Sequence, residues 1–235
     1  MLRKIFRILN EEGVKGFYQR LRIRFLYIIK PNITKSAYGV KLHSKWGDAT
    51  FNLCLSGTYG YFFSDFLNNI EKPYSFLDIG ANQGIYSLVA SKNKNIKKIY
   101  SFEPVPHNFK SLKNNIKLNN SKKINVIEAA ISSRNKNKLI NIKTINFKYL
   151  NKLIKLDYKL IIKIDVEGHE LIVLKQILKS KLIRKVDYIF VEINFKKNNY
   201  KEIKRSFKKF KFTQIYKSKK INNHSDFLFK KRINS

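Results

Sequence analysis

The sequence holds one cysteine in 235 residues, so Cys54 cannot close a disulfide within the chain. Cys54 lies in an apolar stretch, Thr50 to Leu55, that reads as a strand; a small buried hydrophobe suits that place better than a nucleophile. Long apolar runs are missing too. None approaches the roughly 18 residues that span a bilayer, and the opening MLRKIFRILN is broken by Arg7 before a signal-peptide core can form. The expected location is cytoplasmic. Acids are scarce, 16 against 49 lysines and arginines, which leaves a formal charge of +33. A surface this basic binds nucleic acid and anionic membrane non-specifically at low salt. The basic residues are nonetheless scattered rather than gathered in a stripe. Lysine, asparagine, isoleucine, tyrosine and phenylalanine are abundant together, as an AT-rich coding sequence would make them whatever the function. The remaining composition, 43% hydrophobic, suits one domain with a buried core.

Residues 1–35 form a basic amphipathic segment. Ile5, Ile8 and Leu9 share one helical face and Leu21, Phe25 and Ile28 another, which predicts two helices ended by Pro31. Arg3, Lys4, Arg7, Arg20, Arg22 and Arg24 accompany them, so the segment suits a membrane surface, a second subunit in a homo-oligomer, or the rest of the chain. Residues 36–72 predict a strand or hairpin leading into a helix near Ser64 to Ile70. From 73 to 232 strands and helices alternate. Strands are expected at Tyr74–Ile79, Lys98–Phe102, Ile124–Glu128, Leu160–Ile164 and Val186–Ile193. Helices are expected at Ile85–Ser91, Asn108–Leu118, Phe147–Leu156 and His169–Lys179, with an extra stretch at 138–145. The strands are continuously apolar, as parallel strands covered on both faces must be. Lys211–Tyr216 and Phe227–Phe229 add a C-terminal antiparallel hairpin, so the fold class is α/β with a mostly parallel seven-stranded sheet.

The dinucleotide fingerprint G-x-G-x-x-G is absent. Instead FLDIGANQG, Phe76 to Gly84, runs from an apolar strand through Asp78, turns at Gly80 and enters a helix at Gly84. Glycines serve where the backbone takes φ > 0 or a ligand approaches closely, and a side chain at either position is expected to fill the cofactor's space. A carboxylate at the mouth of this loop repels a pyrophosphate and attracts the ammonium and sulfonium of S-adenosylmethionine. About twenty residues on, a second strand ends in Glu103, where an open α/β sheet places the acid that binds both ribose hydroxyls.

Ligands of such sheets sit beyond the carboxyl ends of the strands, so the residues ending them carry the chemistry. In IIKIDVEGHE the strand delivers Asp165, with Glu167 beyond it, and Gly168 permits a turn into a helix beginning near His169. In FVEIN, Glu192 and Asn194 share one strand face. Methyl transfer to an alcohol needs positioning and removal of its proton, a task for a carboxylate, His169 or a metal. Asp165, Glu192 and Asn194 form an oxygen set of the kind a hard cation such as Mg²⁺ takes, or they cap loops and hydrogen-bond a neutral substrate. His169 reads equally as a surface or capping residue.

FLDIGANQGIYSL, FEPVPHNFKSL, EAAISS, IIKIDVEGHELIVLK and FVEIN, in this order and spacing, resemble the FkbM-type methyltransferase family over about residues 50 to 230. The resemblance implies a class I, Rossmann-like fold, S-adenosylmethionine as cofactor, and methylation of a hydroxyl on a glycan, sugar or secondary metabolite. It places Asp78, Gly80, Asn82 and Gly84 at the methionine end, Glu103 at the ribose and Ala130 or Ile131 beside adenine, with Pro104 also in the cofactor site, and Asp165, Glu167 and Glu192 at the acceptor. One departure is plain: the family's Thr-Leu-Asp segment reads Thr144, Ile145, Asn146 here. Two other functions compete. RNA or DNA methylation is favoured by charge, but Asp165-Val166-Glu167-Gly168 stands where amino-group methylases carry an Asn/Asp-Pro-Pro-aromatic clamp. A non-catalytic basic binding protein on the same fold would dispense with Asp78 and Glu103, and both are present.

Overall fold

The computed structural model describes residues 2–58, 60–133, 142–155 and 157–232, with residues 2–13 and 15 described by backbone alone. The chain divides into two compact units, Met1–Asp65 and Phe66–Ser235.

The first unit opens with one helix, α1, Leu2–Ile29, where two were expected. Gly13 and Gly16 each cost about 1 kcal/mol relative to alanine, but neither removes a backbone donor, so the helix runs on toward Pro31. The apolar face expected of Ile5, Ile8 and Leu9 lies outside the described side chains. Strands β1, Ile33–Lys35, and β2, Lys41–His43, pair as an antiparallel hairpin with Thr34 opposite Leu42. The expected strand around Cys54 is instead helix α2, Ala49–Ser56. Asp48 caps it by accepting from the Phe51 N–H at 2.8 Å, and Gly57 ends it in the left-handed conformation. Phe51, Cys54 and Leu55 are buried on one side of α2, and burial, then the nearby Asp48, pushes the Cys54 thiol up to about 12. That keeps it from reacting. Helix α3 follows at Tyr61–Asn68.

The second unit alternates strand and helix: β3, Tyr74–Ile79; α4, Ile85–Lys92; β4, Ile96–Phe102; α5, Pro106–Leu118; β5, Ile124–Ile127. A two-stranded parallel pair, β6 (Ala130–Ile131) and β7 (Thr144–Ile145), precedes α6, Phe147–Leu153. Asn146 caps α6 by accepting from the Lys148 and Tyr149 N–H groups, an adequate reason for asparagine there. Residues 138–141 of the expected extra stretch, and Leu156, lie outside the described residues. Then come β8, Lys159–Ile164; α7, Glu170–Lys179; β9, Val186–Asn194; α8, Tyr200–Lys209; β10, Phe212–Lys217; and β11, His224–Lys231.

Seven strands form one sheet in the order β10-β11-β9-β8-β3-β4-β5. The pairs from β9 through β5 are parallel, and β11 runs antiparallel to both neighbours. Strand β3 is buried along its whole length and β8 at all but its first residue, as a sheet covered on both faces requires. The chain order reverses between β3 and β8, which opens a crevice at their carboxyl ends. Because β11 is antiparallel, its first residues reach the same end of the sheet.

Helix α8, which the sequence reading omits, holds β11 in place. Phe207 of α8 stacks on Phe229 at 3.8 Å and 11°, and Tyr200 and Phe195 flank Phe227 at 5.3 and 6.3 Å. Truncating Phe207 to alanine removes a fully buried ring, so Phe207→Ala is expected to cost about 3–5 kcal/mol in urea unfolding. A cost below about 1 kcal/mol would show that α8 does not anchor β11.

Candidate active site

Strands β3 and β8 meet at a buried ammonium. Lys163, 1% exposed in β8, donates from Nζ to the Gly80 carbonyl at 3.0 Å. The same Nζ lies 3.2 Å from Asp165 Oδ2 and 3.4 Å from Asp78 Oδ1, and 5.2 Å from the centre of the Tyr86 ring. Burial pulls the lysine's pKa down, but Asp165 and Asp78 outweigh it and hold the group above the ordinary lysine range. It is therefore charged at neutral pH. Asp78 is fully buried, and its Oδ2 accepts from the Ser87 hydroxyl at 2.6 Å, with Ser101 Oγ a further 2.6 Å from Ser87 Oγ. The carboxylate expected at the mouth of the loop lies beneath it, with Lys163 as its counter-charge.

The glycines have a different reason from the one expected. Gly80 has φ +80, and a Cβ there would stand 1.7 Å from the Asp165 carbonyl oxygen. Gly84, at φ +90, would meet Leu112 Cδ1 at 2.5 Å. The chain's own backbone and core occupy these spaces, because the β3 loop crosses the end of β8 and α4 starts against α5. The Asp165 N–H donates to the Ile79 carbonyl at 3.0 Å and closes that crossing.

Glu103 is nearly buried beyond β4. Its Oε2 accepts from the Asn82 N–H at 2.8 Å and its Oε1 from the Val105 N–H at 3.0 Å. Burial raises its pKa, and the two N–H groups and Lys163 oppose that rise. Each oxygen keeps a lone pair, so the acid both braces the β3 loop and remains able to accept from a diol. Pro104 is half-buried beside it, Ala130 is half-buried in β6, and Ile131 belongs to the hydrophobic core.

On the other side of the crevice β9 and β11 pair with Asn194 opposite His224 and Glu192 opposite Asp226. Asn194 Oδ1 accepts from the Lys196 and Lys197 N–H groups at 2.9 and 3.3 Å, which fixes the orientation of the amide. Its Nδ2 then donates to His224 Nε2 at 3.0 Å, so the imidazole carries its proton on Nδ1 and donates to Glu192 Oε1 at 2.9 Å. Burial, followed by repulsion from Asp165 and Asp226, pushes the Glu192 carboxyl up to about 8. Burial and Asp165 push Asp226 up to about 6. Glu192 and His224 remain 32% and 31% exposed, which leaves both accessible to solvent.

The oxygen set anticipated for Mg²⁺ does not fit a cation. The Asn194 oxygen is taken by two backbone donors, Asp165 is already paired with Lys163, and no group of three His, Cys, Asp or Glu side chains suited to a metal exists among the described residues.

The structure thus brings Asp165 and Glu192 together and leaves Glu167 and His169 at the surface, both exposed. Glu167 takes φ +55 and its carbonyl accepts from Lys197 Nζ at 3.3 Å. His169 precedes α7 without a side-chain cap. The loop is braced by the buried Glu170, which accepts from the Gly168 N–H at 2.8 Å and is bonded by the Asn198 amide. Sequence reasoning missed Lys163, Glu170, His224 and Asp226. A lysine inside an otherwise apolar strand, two residues before Asp165, was a readable signal for the first.

The family profile described as the methyltransferase FkbM domain matches residues 78–215. No curated protein sequence matches the chain. Among solved structures, a tRNA methyltransferase of M. jannaschii is 16% identical with a TM-score of 0.52, over 86% of this chain and 57% of that one. A Streptococcus pneumoniae protein described as a tRNA methyltransferase is 15% identical with a TM-score of 0.51, over 74% and 72%. At such identities the likeness is one of fold, the class I Rossmann-like architecture.

Removing the ammonium strands two carboxylates. Lys163→Met is expected to cost about 3–5 kcal/mol in urea unfolding, and adding Asp78→Asn to recover part of it. Strictly additive losses would deny the pairing.

Proposed function

The chain belongs to the FkbM methyltransferase family, and on that premise we propose that it methylates a hydroxyl of a sugar, glycan precursor or small secondary metabolite. Family and fold together imply S-adenosylmethionine as the methyl donor. When bound, that cofactor supplies an electrophilic methyl group on a sulfonium and leaves as a neutral thioether.

The reading rests on Glu192. An alcohol attacks a methyl group effectively only as its proton departs, and the best general base has a pKa near the working pH. A carboxyl raised to about 8, accessible and oriented by His224, meets that need. We assign Glu192 as the base that takes the hydroxyl proton as the carbon–oxygen bond forms. Asp165 orients the acceptor beside it, and burial, with Asp165 and Asp226 nearby, keeps the base's pKa high. Glu167 and His169 are exposed at the rim, suited to the more distant parts of an acceptor. For the donor, Glu103 offers its free lone pairs to the ribose diol, the Gly80–Gly84 loop with Asn82 lines the methionine end, Asp78 acts through Lys163 beneath that loop, Pro104 adds to the cofactor site, and Ala130 or Ile131 borders the adenine.

The same cluster weighs against nucleic acid as acceptor, because Asp165, Glu167, Glu192 and Asp226 would face a phosphate backbone with acids. The net charge of +33 favours RNA, so the assay should include it. Methyl transfer from labelled cofactor is expected to polyol and sugar acceptors and not to RNA. The rate should rise with pH through about 8, since Glu192 must be ionised to act and its raised pKa keeps it protonated below that range. Glu192→Gln should lower turnover by roughly 10²–10⁴-fold and flatten that rise while leaving cofactor affinity unchanged. A variant that keeps both rate and pH dependence would remove Glu192 from the chemistry.

A further inference from the structure

Helix α1 is apolar on two faces. Toward its own unit it presents Gly16, Gln19, Ile23 and Leu26, all half-buried. Gln19 Nε2 donates to the Leu55 carbonyl at 2.9 Å, and Tyr27 meets Trp46 edge-on at 5.3 Å. The other face carries Val14, Tyr18, Leu21, Phe25 and Ile28, spaced four and three residues apart in alternation, so they form one stripe. These five side chains are between 47% and 80% exposed. Leaving so many large apolar groups in water along one line is unfavourable and marks a docking face.

Charge selects the occupant. From Gly13 to Gly47 the chain has no acidic residue, while Lys15, Arg20, Arg22 and Arg24 lie along the stripe's own length. Arg20 and Arg24, both exposed, border the stripe on one side of the helix. A second copy of this helix, which carries seven lysines and arginines against Glu11 and Glu12 alone, would set mostly like charges against one another. An anionic bilayer complements both features: its acyl boundary takes the apolar stripe and its headgroups take the arginines. No helix among the described residues is long and apolar enough to cross a membrane, so α1 would lie in the interface. We propose that the Val14–Ile28 face of α1 docks the protein on an anionic lipid surface.

The test separates this from the charge of the whole chain. Full-length protein is sedimented with vesicles of phosphatidylcholine alone or with roughly one-third phosphatidylglycerol, at about 0.15 M salt to screen diffuse attraction. Wild type is expected to bind the anionic vesicles only. Phe25→Ser/Ile28→Ser leaves the charge at +33 and should weaken binding roughly tenfold or more, with an unchanged thermal melt because both side chains are exposed. Val14→Ser/Tyr18→Ser serves as an independent pair should the first fail to fold. Equal binding by these variants would overturn the proposal in favour of bulk charge. So would absence of binding by wild type, or a concentration-dependent dimer that the same substitutions abolish.

Discussion

One buried ammonium organises the reactive end of the sheet. A lysine enclosed at the carboxyl end of β8 would lose its proton if it stood alone, because burial disfavours the charged form. Asp78 from β3 and Asp165 from the end of β8 prevent this at 3.4 and 3.2 Å, and the Gly80 carbonyl accepts the remaining bond. The two strands on either side of the topological reversal are thereby tied where the crevice opens. The need for glycine at position 80 follows from the same closeness, since only a residue without Cβ lets the β3 loop pass the Asp165 carbonyl. Breaking such a buried pair costs far more than replacing it whole, so neither carboxylate can vary independently of the lysine.

The antiparallel strand supplies the second half of the arrangement. A wholly parallel sheet would bring only strand ends to the crevice, whereas β11 brings its beginning. His224 and Asp226 therefore stand beside Asn194 and Glu192 without any long loop. Lys163 is a single charge shared between Asp165 and Asp78, so burial, followed by the repulsion that Asp165 retains, raises the pKa values of both Glu192 and Asp226. Acids that would be inert solvated carboxylates elsewhere become titratable near neutral pH here. The pairing of β11 with β9 holds Asp226 opposite Glu192, and α8 packs on β11 through Phe207 and Phe229.

The parallel core was legible because continuous apolar runs ending in acids admit few arrangements, and β3 was read to both its ends. The strand ends then named Asp78, Glu103, Asp165 and Glu192 directly. Other features depend on information that one segment does not carry. The pairing of Asp226 with Glu192 is a matter of register between strands more than thirty residues apart. Asn194 looked like a free oxygen donor because its engagement with the Lys196 and Lys197 N–H groups is a property of the turn. Around Cys54 the apolar run outweighed the signals that decided the outcome, Asp48 before it and Gly57 after it, which were present in the sequence. Lys163 was equally visible, yet a lysine in a basic chain attracts little notice until its burial is known.

The account stands on a cofactor crevice built between these strand ends, and calorimetric titration with S-adenosylmethionine at moderate salt tests it most directly. It predicts saturable one-to-one binding by the wild type that weakens tenfold or more in Glu103→Ala, where the proposed acceptor for the ribose diol and the brace on Asn82 are both lost. Absence of binding by the folded wild type, or binding indifferent to Glu103, would contradict it.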